Sequence, residues 1–102
     1  MNESFPQIDQ EGNVEWRTAE GLLHRIDGPA VEGTDGRKEW WVNGKYHRIG
    51  GPAVEWADGA MWWYFDGRPH RTDGPAIEGA YAQKEWWIEG ELRMDLEEKG
   101  RI

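Results

Sequence analysis

Three histidine–arginine pairs recur along the chain with a constant spacing. His24, His47 and His70 lie 23 residues apart, and an arginine follows each of them. Imidazole nitrogen is a common zinc ligand, so three histidines suggest a zinc site. In a regular β array, however, two or three strands would separate equivalent side chains, which places them roughly 10 to 15 Å apart. Since ligands sit about 2 Å from zinc, we expect no shared metal ion.

We expect a structural role for these pairs instead. Each histidine ring is predicted to donate a hydrogen bond to a carbonyl of the Gly-Pro turn that follows it, and each arginine to pair with a nearby carboxylate. The arginines concerned are Arg25, Arg48 and Arg71. The carboxylates lie in the same loops or repeat with the same period, and they are Asp27, Asp73, Glu32, Glu55 and Glu78.

Other reaction chemistry has little support in the residue types. The chain contains no cysteine, and its one serine is Ser4, far in sequence from the histidines. The 20 acidic residues could include a pair suited to glycoside hydrolysis, but nothing selects one. The glycines occur as turn dipeptides and in Gly-Pro, not in a phosphate-binding loop. We therefore expect a chain that is not an enzyme and needs no cofactor.

A repeating unit of 23 residues must position the pairs. Its clearest copy, WWVNGKYHRIGGPAVEWADGAMW, spans residues 40–62. Much of it recurs one period later in residues 63–79 and one period earlier in residues 20–33, and a fourth copy begins at Trp86 and fades. A fixed period of this kind is the signature of a repeat architecture.

Turn signals divide each unit into short strands. Asn43-Gly44 and Asp66-Gly67 predict two-residue hairpin turns of type I′, in which both central residues have positive φ. Glu-Gly occupies the same place in the outer units, and because Glu tolerates positive φ less well, we expect those turns to differ in type. Aromatic and β-branched residues flank the turns, as strands prefer. A sustained helical period is missing from the sequence.

The predicted fold is all-β. It is an antiparallel meander of 23-residue β-hairpin repeats that forms a repeat sheet, with close to three strands per unit. We assign residues 1–15 to a polar lead-in and residues 16–92 to a single β-repeat domain of about three full units plus a partial cap. Residues 93–102 are predicted to form a C-terminal tail or short helix.

Eight tryptophans in 102 residues supply the main functional clue. Adjacent residues of a strand point to opposite faces, so Trp40 and Trp41 should lie on different sides of the sheet. A thin sheet cannot cover both faces, and a large apolar patch left in water is unusual for a monomer. We therefore expect one aromatic column to bind a second copy of the chain or a target protein. The two columns are Trp40, Trp63 and Trp86, and Trp41, Tyr64 and Trp87, with Trp62 beside them.

The charge balance limits the classes of molecule that the chain is expected to bind. With 12 basic and 20 acidic residues, the net charge is −8, so the surface repels nucleic acid and favours a protein with a basic surface. The missing cysteines suit a cytoplasmic location. The first residues lack the pattern of a signal peptide, and no apolar run approaches the ~20 residues that span a bilayer.

A family resemblance rests on the repeated motif. The pattern W-x-x-N/D-G-x-x-H-R-x-D/G-G-P-A-V/I-E resembles the MORN-variant repeats of bacterial and phage proteins, including those labelled antitoxin-like, and it covers roughly residues 16–92. The resemblance implies a β-hairpin repeat sheet that binds protein, and it implies no reaction. The fourth copy departs from the pattern, since Arg93 and Met94 replace the His-Arg pair, as suits a capping unit.

The sequence thus predicts an acidic module that inhibits a partner protein by occupying its surface. The setting implied by the resemblance is an antitoxin or a phage-encoded, anti-CRISPR-like inhibitor of a bacterial defence system, acting in the host cytoplasm. Two alternatives stay open. One is a nucleic-acid mimic that acts through its carboxylates, and the other is a carbohydrate-binding domain that uses the tryptophan face.

Overall fold

The computed structural model describes residues 3–95, which form short antiparallel strands joined by tight turns. The strands are β1 (Ser4–Ile8), β2 (Val14–Thr18), β3 (Val31–Glu32), β4 (Lys38–Glu39), β5 (Trp41–Val42), β6 (Lys45–Tyr46), β7 (Val54–Glu55), β8 (Met61–Trp62), β9 (Tyr64–Phe65), β10 (Arg68–Pro69), β11 (Ile77–Glu78), β12 (Lys84–Glu85), β13 (Trp87–Ile88) and β14 (Glu91–Leu92). The predicted all-β antiparallel meander is confirmed.

Eight strands form one open sheet, which we call the main sheet. Its order is β1-β2-β3-β4-β7-β8-β11-β12, so each repeat unit contributes two neighbouring strands to it. Backbone bonds extend the pairing beyond the strand ends, for example from the Trp40 N–H to the Ala53 carbonyl at 2.6 Å and from the Ala53 N–H to the Trp62 carbonyl at 2.7 Å.

The other six strands form three hairpins, β5–β6, β9–β10 and β13–β14, which we call the hairpin row. Backbone hydrogen bonds connect neighbouring hairpins. The Gly67 N–H donates to the Tyr46 carbonyl at 2.9 Å, and the Arg48 N–H donates to the Tyr64 carbonyl at 3.3 Å. Each unit therefore adds two strands to the main sheet and two to the hairpin row.

Trp40 marks the place where the chain passes from one sheet to the other. Its N–H bonds to Ala53 in the main sheet, whereas its carbonyl accepts from the His47 N–H at 3.0 Å in the hairpin. The predicted single strand from Trp40 to Val42 is therefore divided, and a unit contains four short strands rather than three. Trp63 occupies the same position one unit later, with its carbonyl accepting from the His70 N–H at 3.0 Å.

The predicted turn geometry is confirmed in the two central units. Asn43 and Gly44 have φ of 50° and 79°, and Asp66 and Gly67 have φ of 50° and 80°. We expected the turns of the two outer units to differ in type from the central turns, and this is confirmed for one of them and wrong for the other. Residues 20–21 do form a different turn, with positive φ at Gly21 alone, but residues 89–90 adopt the same geometry as the central turns, with φ of 51° and 81°.

The two ends of the array also differ from prediction. Ser4–Ile8 is a strand of the main sheet paired with Val14–Thr18, which the polar composition of residues 1–15 does not predict. Asp9 and Asn13 close this hairpin through their side chains, and the Asn13 amide lowers the pKa of the Asp9 carboxyl. At the other end Met94 and Asp95 are helical, and the rest of the predicted tail lies outside the described residues.

The interior is small because the molecule is a slab of 46 × 29 × 17 Å. The alanines of the three Gly-Pro-Ala triplets are fully buried, as is Val54, whereas each of the eight tryptophans is only half-buried. Small residues fill the centre and large rings form its margins. The fully buried alanines are Ala30, Ala53 and Ala76.

Candidate functional site

The arginine of each pair lies over a tryptophan ring. The Arg48 guanidinium carbon is 3.7 Å from the centroid of the Trp40 ring, and the Arg71 carbon is 3.9 Å from that of Trp63. In the first unit Trp16 takes this place, 4.1 Å from Arg25. Such a cation over an aromatic face is attracted by the electron-rich ring. Trp40 and Trp63 of the first tryptophan column are therefore covered by side chains of the same chain.

The glycine of the Gly-Pro-Ala triplet lies close against the guanidinium. A Cβ atom added at Gly51 would lie only 2.8 Å from the guanidinium carbon of Arg48, and one at Gly74 would meet Arg71 at the same distance. The Arg48 guanidinium also donates to the Pro52 carbonyl at 3.1 Å. Any side chain at this position would displace the arginine, which gives the repeated Gly-Pro a physical reason.

The predicted arginine–carboxylate pairs are present. Arg48 donates to Glu55 at 3.1 Å, and Arg71 contacts Asp73 at 2.9 Å and Glu78 at 3.4 Å. Arg25 makes the equivalent contacts in the first unit, at 3.1 Å and 3.7 Å. The middle unit has Gly50 where its neighbours have aspartate. The three guanidinium groups are thus held by a ring, a carbonyl and carboxylates.

The histidines act differently from the prediction. The Nδ1 atom of His47 accepts a hydrogen bond from the backbone N–H of Asp66 at 3.0 Å, in the turn of the next unit. His70 accepts from the Glu89 N–H at 2.9 Å in the same way. The predicted donation to the Gly-Pro turn is wrong, since the ring accepts from the next unit's turn and the Pro52 carbonyl accepts from Arg48 instead. The acceptor at His70 also holds Glu89 in the turn geometry that glutamate by itself disfavours.

The last repeat unit differs from the others at the positions of the His-Arg pair. Arg93 stands at the histidine position and pairs with Asp95 at 2.8 Å, which raises the pKa of the arginine. Its backbone N–H still donates to the Trp86 carbonyl, at 2.7 Å. Met94 replaces the stacking arginine, so within residues 3–95 no guanidinium covers the ring of Trp86. These contacts fit the role of a terminal unit.

Trp41 and Tyr64 of the second aromatic column belong to a continuous cluster of rings, which we call the aromatic face. Trp41 and Tyr46 are cross-strand neighbours with ring centroids 4.1 Å apart, and Tyr46 lies 5.3 Å from Tyr64. Trp62 continues the series, 6.2 Å from Tyr64 and 4.9 Å from Trp56. These distances are typical of interacting aromatic pairs. The face thus extends over two neighbouring repeat units.

Carboxylates border the aromatic face. The Trp41 indole N–H donates to Glu39 at 2.8 Å, and Trp87 makes the same bond to Glu85 two repeat periods further along. Burial, together with nearby negative charge, raises the pKa of Tyr46 and Tyr64, so both hydroxyls keep their protons at neutral pH. The face therefore combines flat apolar surface with hydroxyl groups and an acidic margin.

The structure separates the residues that the sequence grouped as partner-binding. Trp40 and Trp63 lie beneath arginines, whereas Trp41, Trp62 and Tyr64 are in the aromatic face. Sequence reasoning missed two members. The pairing across the Asn43-Gly44 turn could have found Tyr46, but Trp56 carries no comparable signal.

Among the described residues, no group of three or more histidine, aspartate and glutamate side chains could hold a metal ion. The same part of the chain contains no helix of the length and hydrophobicity needed to cross a membrane. No family of known proteins, curated protein or solved structure matches the chain.

Proposed function

We propose that this chain is a protein-binding module that docks through the aromatic face and inhibits its partner by covering part of the partner's surface. The observation that carries the proposal is the unbroken series of rings from Trp41 through Tyr46 and Tyr64 to Trp62 and Trp56. Tryptophan and tyrosine supply large, rigid contact area and dominate the binding energy of many interfaces.

The two tryptophan columns differ in how accessible their rings are, and this difference supports the choice of the aromatic face. Arg48 and Arg71 already occupy Trp40 and Trp63, so a partner would have to displace stacked and ion-paired guanidinium groups to reach them. The rings of the aromatic face contact one another and remain half-exposed. They can be covered without breaking a polar contact.

The overall charge indicates the kind of partner. Glu85 lies beside the rings, Glu39 is paired with Arg37 at 2.7 Å, and the whole chain carries a net charge of −8. A basic protein surface with apolar residues at its centre would complement both features. The resemblance to MORN-variant repeats adds the setting, a bacterial or phage protein that meets its target in the bacterial cytoplasm as an antitoxin or anti-defence inhibitor.

Affinity capture with matched variants tests the proposal. The chain and a Trp41→Ser/Tyr64→Ser variant are immobilised and incubated with bacterial lysate, with Tyr81→Ser as control because Tyr81 is 87% exposed and lies outside the aromatic face. We expect a protein that the chain and the control retain and the double variant loses. Capture that is unchanged in the double variant, or no specific capture, would contradict the proposal.

Nucleic-acid mimicry receives less support from the geometry. The carboxylates that repeat with the period, Glu32, Glu55 and Glu78, are within 3.7, 3.1 and 3.4 Å of arginine nitrogens, so their charges are locally compensated. Mimicry would make binding weaken steeply with salt, whereas docking through rings depends on salt much less. Binding to a glycan array would support the carbohydrate alternative, because sugars also stack on aromatic rings.

A further inference from the structure

Two equivalent clefts lie between successive His-Arg segments, apart from the aromatic face. Exposed isoleucines rim them, with Ile26 and Ile49 at 76% and 80% exposure in the same repeat position. The first cleft is lined by Ile26, Trp40, Val42, His47 and Ile49, together with Gly28 and the charged residues Arg25, Asp27 and Arg48. The second is lined one period later by Ile49, Trp63, Phe65, His70 and Thr72, together with Gly50 and the charged residues Arg48, Arg71 and Asp73. A repeated cleft with a repeated exposed apolar residue predicts a ligand that is itself periodic.

Each cleft contains a histidine ring N–H that the fold does not use. Since Nδ1 of His47 and of His70 accepts a backbone N–H, the neutral ring carries its proton on Nε2. Neither Nε2 atom has a hydrogen-bond partner among residues 3–95. The neighbouring arginines donate to carbonyl and carboxylate oxygens of the chain itself. A ligand that offers a hydrogen-bond acceptor and an apolar group at each cleft would match the histidine and the exposed isoleucine.

The distance between successive repeat units indicates which backbone conformation of a peptide ligand could reach both clefts. Successive units of the hairpin row are offset by two hydrogen-bonded strands, or about 9.6 Å. A polyproline II helix rises about 3.1 Å per residue, so residues three apart lie on the same side about 9.3 Å apart. In a β-strand, same-side residues recur at about 6.7 or 13 Å, which does not match. An α-helix comes close at about 10.5 Å for residues seven apart, but its carbonyls are bonded within the helix.

We propose that the two clefts bind a proline-rich segment of a partner protein in the polyproline II conformation. Residues three apart enter successive clefts, and a backbone carbonyl beside each accepts from Nε2–H of His47 or His70. A polyproline II helix has no internal hydrogen bonds, so its carbonyls are free to accept. Basic residues flanking the segment would complement the net charge of −8. The site is independent of the aromatic face, so either proposal can fail without the other.

Peptide titration tests this inference. The first probe is a fluorescein-labelled peptide with prolines three residues apart and a lysine at each end. The second has the same composition but prolines two residues apart. Ile49→Asp places a charge at the rim shared by both clefts, and Ile8→Asp is the matched control because Ile8 is 73% exposed on β1. Both replaced side chains are mostly in solvent, so the fold should persist in each variant, which circular dichroism verifies.

We expect the three-residue peptide to bind at least about tenfold more tightly than the two-residue peptide, a difference of about 1.4 kcal/mol. Ile49→Asp should remove this preference, whereas Ile8→Asp and Trp41→Ser should keep it. The inference is overturned if both peptides bind equally, if neither binds at millimolar concentration, or if the two aspartate variants weaken binding to the same extent.

Discussion

The Nδ1 atom of His47 accepts the backbone N–H of Asp66 at 3.0 Å, and this bond joins two repeat units through residues 19 positions apart. His24 makes the same bond to the Asn43 N–H at 2.9 Å. A histidine of one unit thus stabilises the turn of the next, and the regular hairpin row depends on a side chain that turn propensity alone does not involve.

Replacing His47 tests the importance of this acceptor. Asn can present its Oδ1 atom near the position of Nδ1, whereas Leu offers no acceptor and leaves a turn N–H without its partner. We expect His47→Leu to lower the free energy of unfolding by about 1 to 3 kcal/mol relative to His47→Asn, measured by chemical denaturation. A chelator should leave the melting temperature unchanged. Equal stability of the two variants would show that the bond is unimportant.

Gly51→Ala should be destabilising because its new methyl group would lie 2.8 Å from the Arg48 guanidinium. We expect a loss of about 1 to 3 kcal/mol in the free energy of unfolding, as the arginine leaves the Trp40 ring. In an Arg48→Ala background the same change should cost less. Gly50→Ala is the control, since it meets no atom within 4 Å and is strained only by a φ of 81°. Its cost should be the same in both backgrounds.

Substitutions in the hairpin turns should be able to lower or to raise the stability of the fold. Gly44→Val should lower stability by about 1 kcal/mol or more, because a β-branched residue resists positive φ. Glu89→Asn should raise it by a few tenths to about 1 kcal/mol, since Asn adopts the left-handed conformation more readily than Glu. Thermal unfolding of both variants checks this pair. A stabilising Gly44→Val would mean that the turn is not of the type described.

The two tryptophan columns should respond differently to truncation. Trp40→Ala removes the ring beneath Arg48, and we expect it to cost about 3 to 5 kcal/mol and to unfold the marginal chain. Trp41→Ala lies in the aromatic face, and we expect it to cost less and to abolish partner binding or self-association. Circular dichroism and light scattering on the two variants distinguish these outcomes. The assignment of binding to the aromatic face fails if Trp41→Ala unfolds the chain as readily as Trp40→Ala.

High pH should destabilise the fold through two tyrosines. Burial raises the pKa of Tyr46 and Tyr64 above the ordinary value of 10.0. The folded state therefore holds these protons more tightly than the unfolded chain does. This contribution to stability is complete below about pH 10 and is lost as the pH rises through the folded pKa values. The free energy of unfolding should decline in this range, and less steeply in Tyr46→Phe, as denaturation at several pH values would show.

The sequence by itself determined the period, the turns and the alternation of side chains. These depend on local properties, since Asn-Gly and Asp-Gly adopt positive φ wherever they occur and neighbouring strand residues point to opposite sides. The positions of the turns at Gly44 and Gly67, and the separation of Trp40 from Trp41, followed from this reasoning. The pairing of the arginines with carboxylates did so too, because opposite charges recur at a fixed spacing in the repeat.

Only the tertiary structure decided what contacts lie between units. The break at Trp40, the edge strand Ser4–Ile8, the hydrogen bond from Asp66 to His47 and the entry of Trp56 into the aromatic face all join residues of different strands or different units. Their geometry depends on how the chain turns from the main sheet into the hairpin row. That turn arises because one residue's N–H and carbonyl bond to different sheets, and a pattern of residue types does not specify such a division.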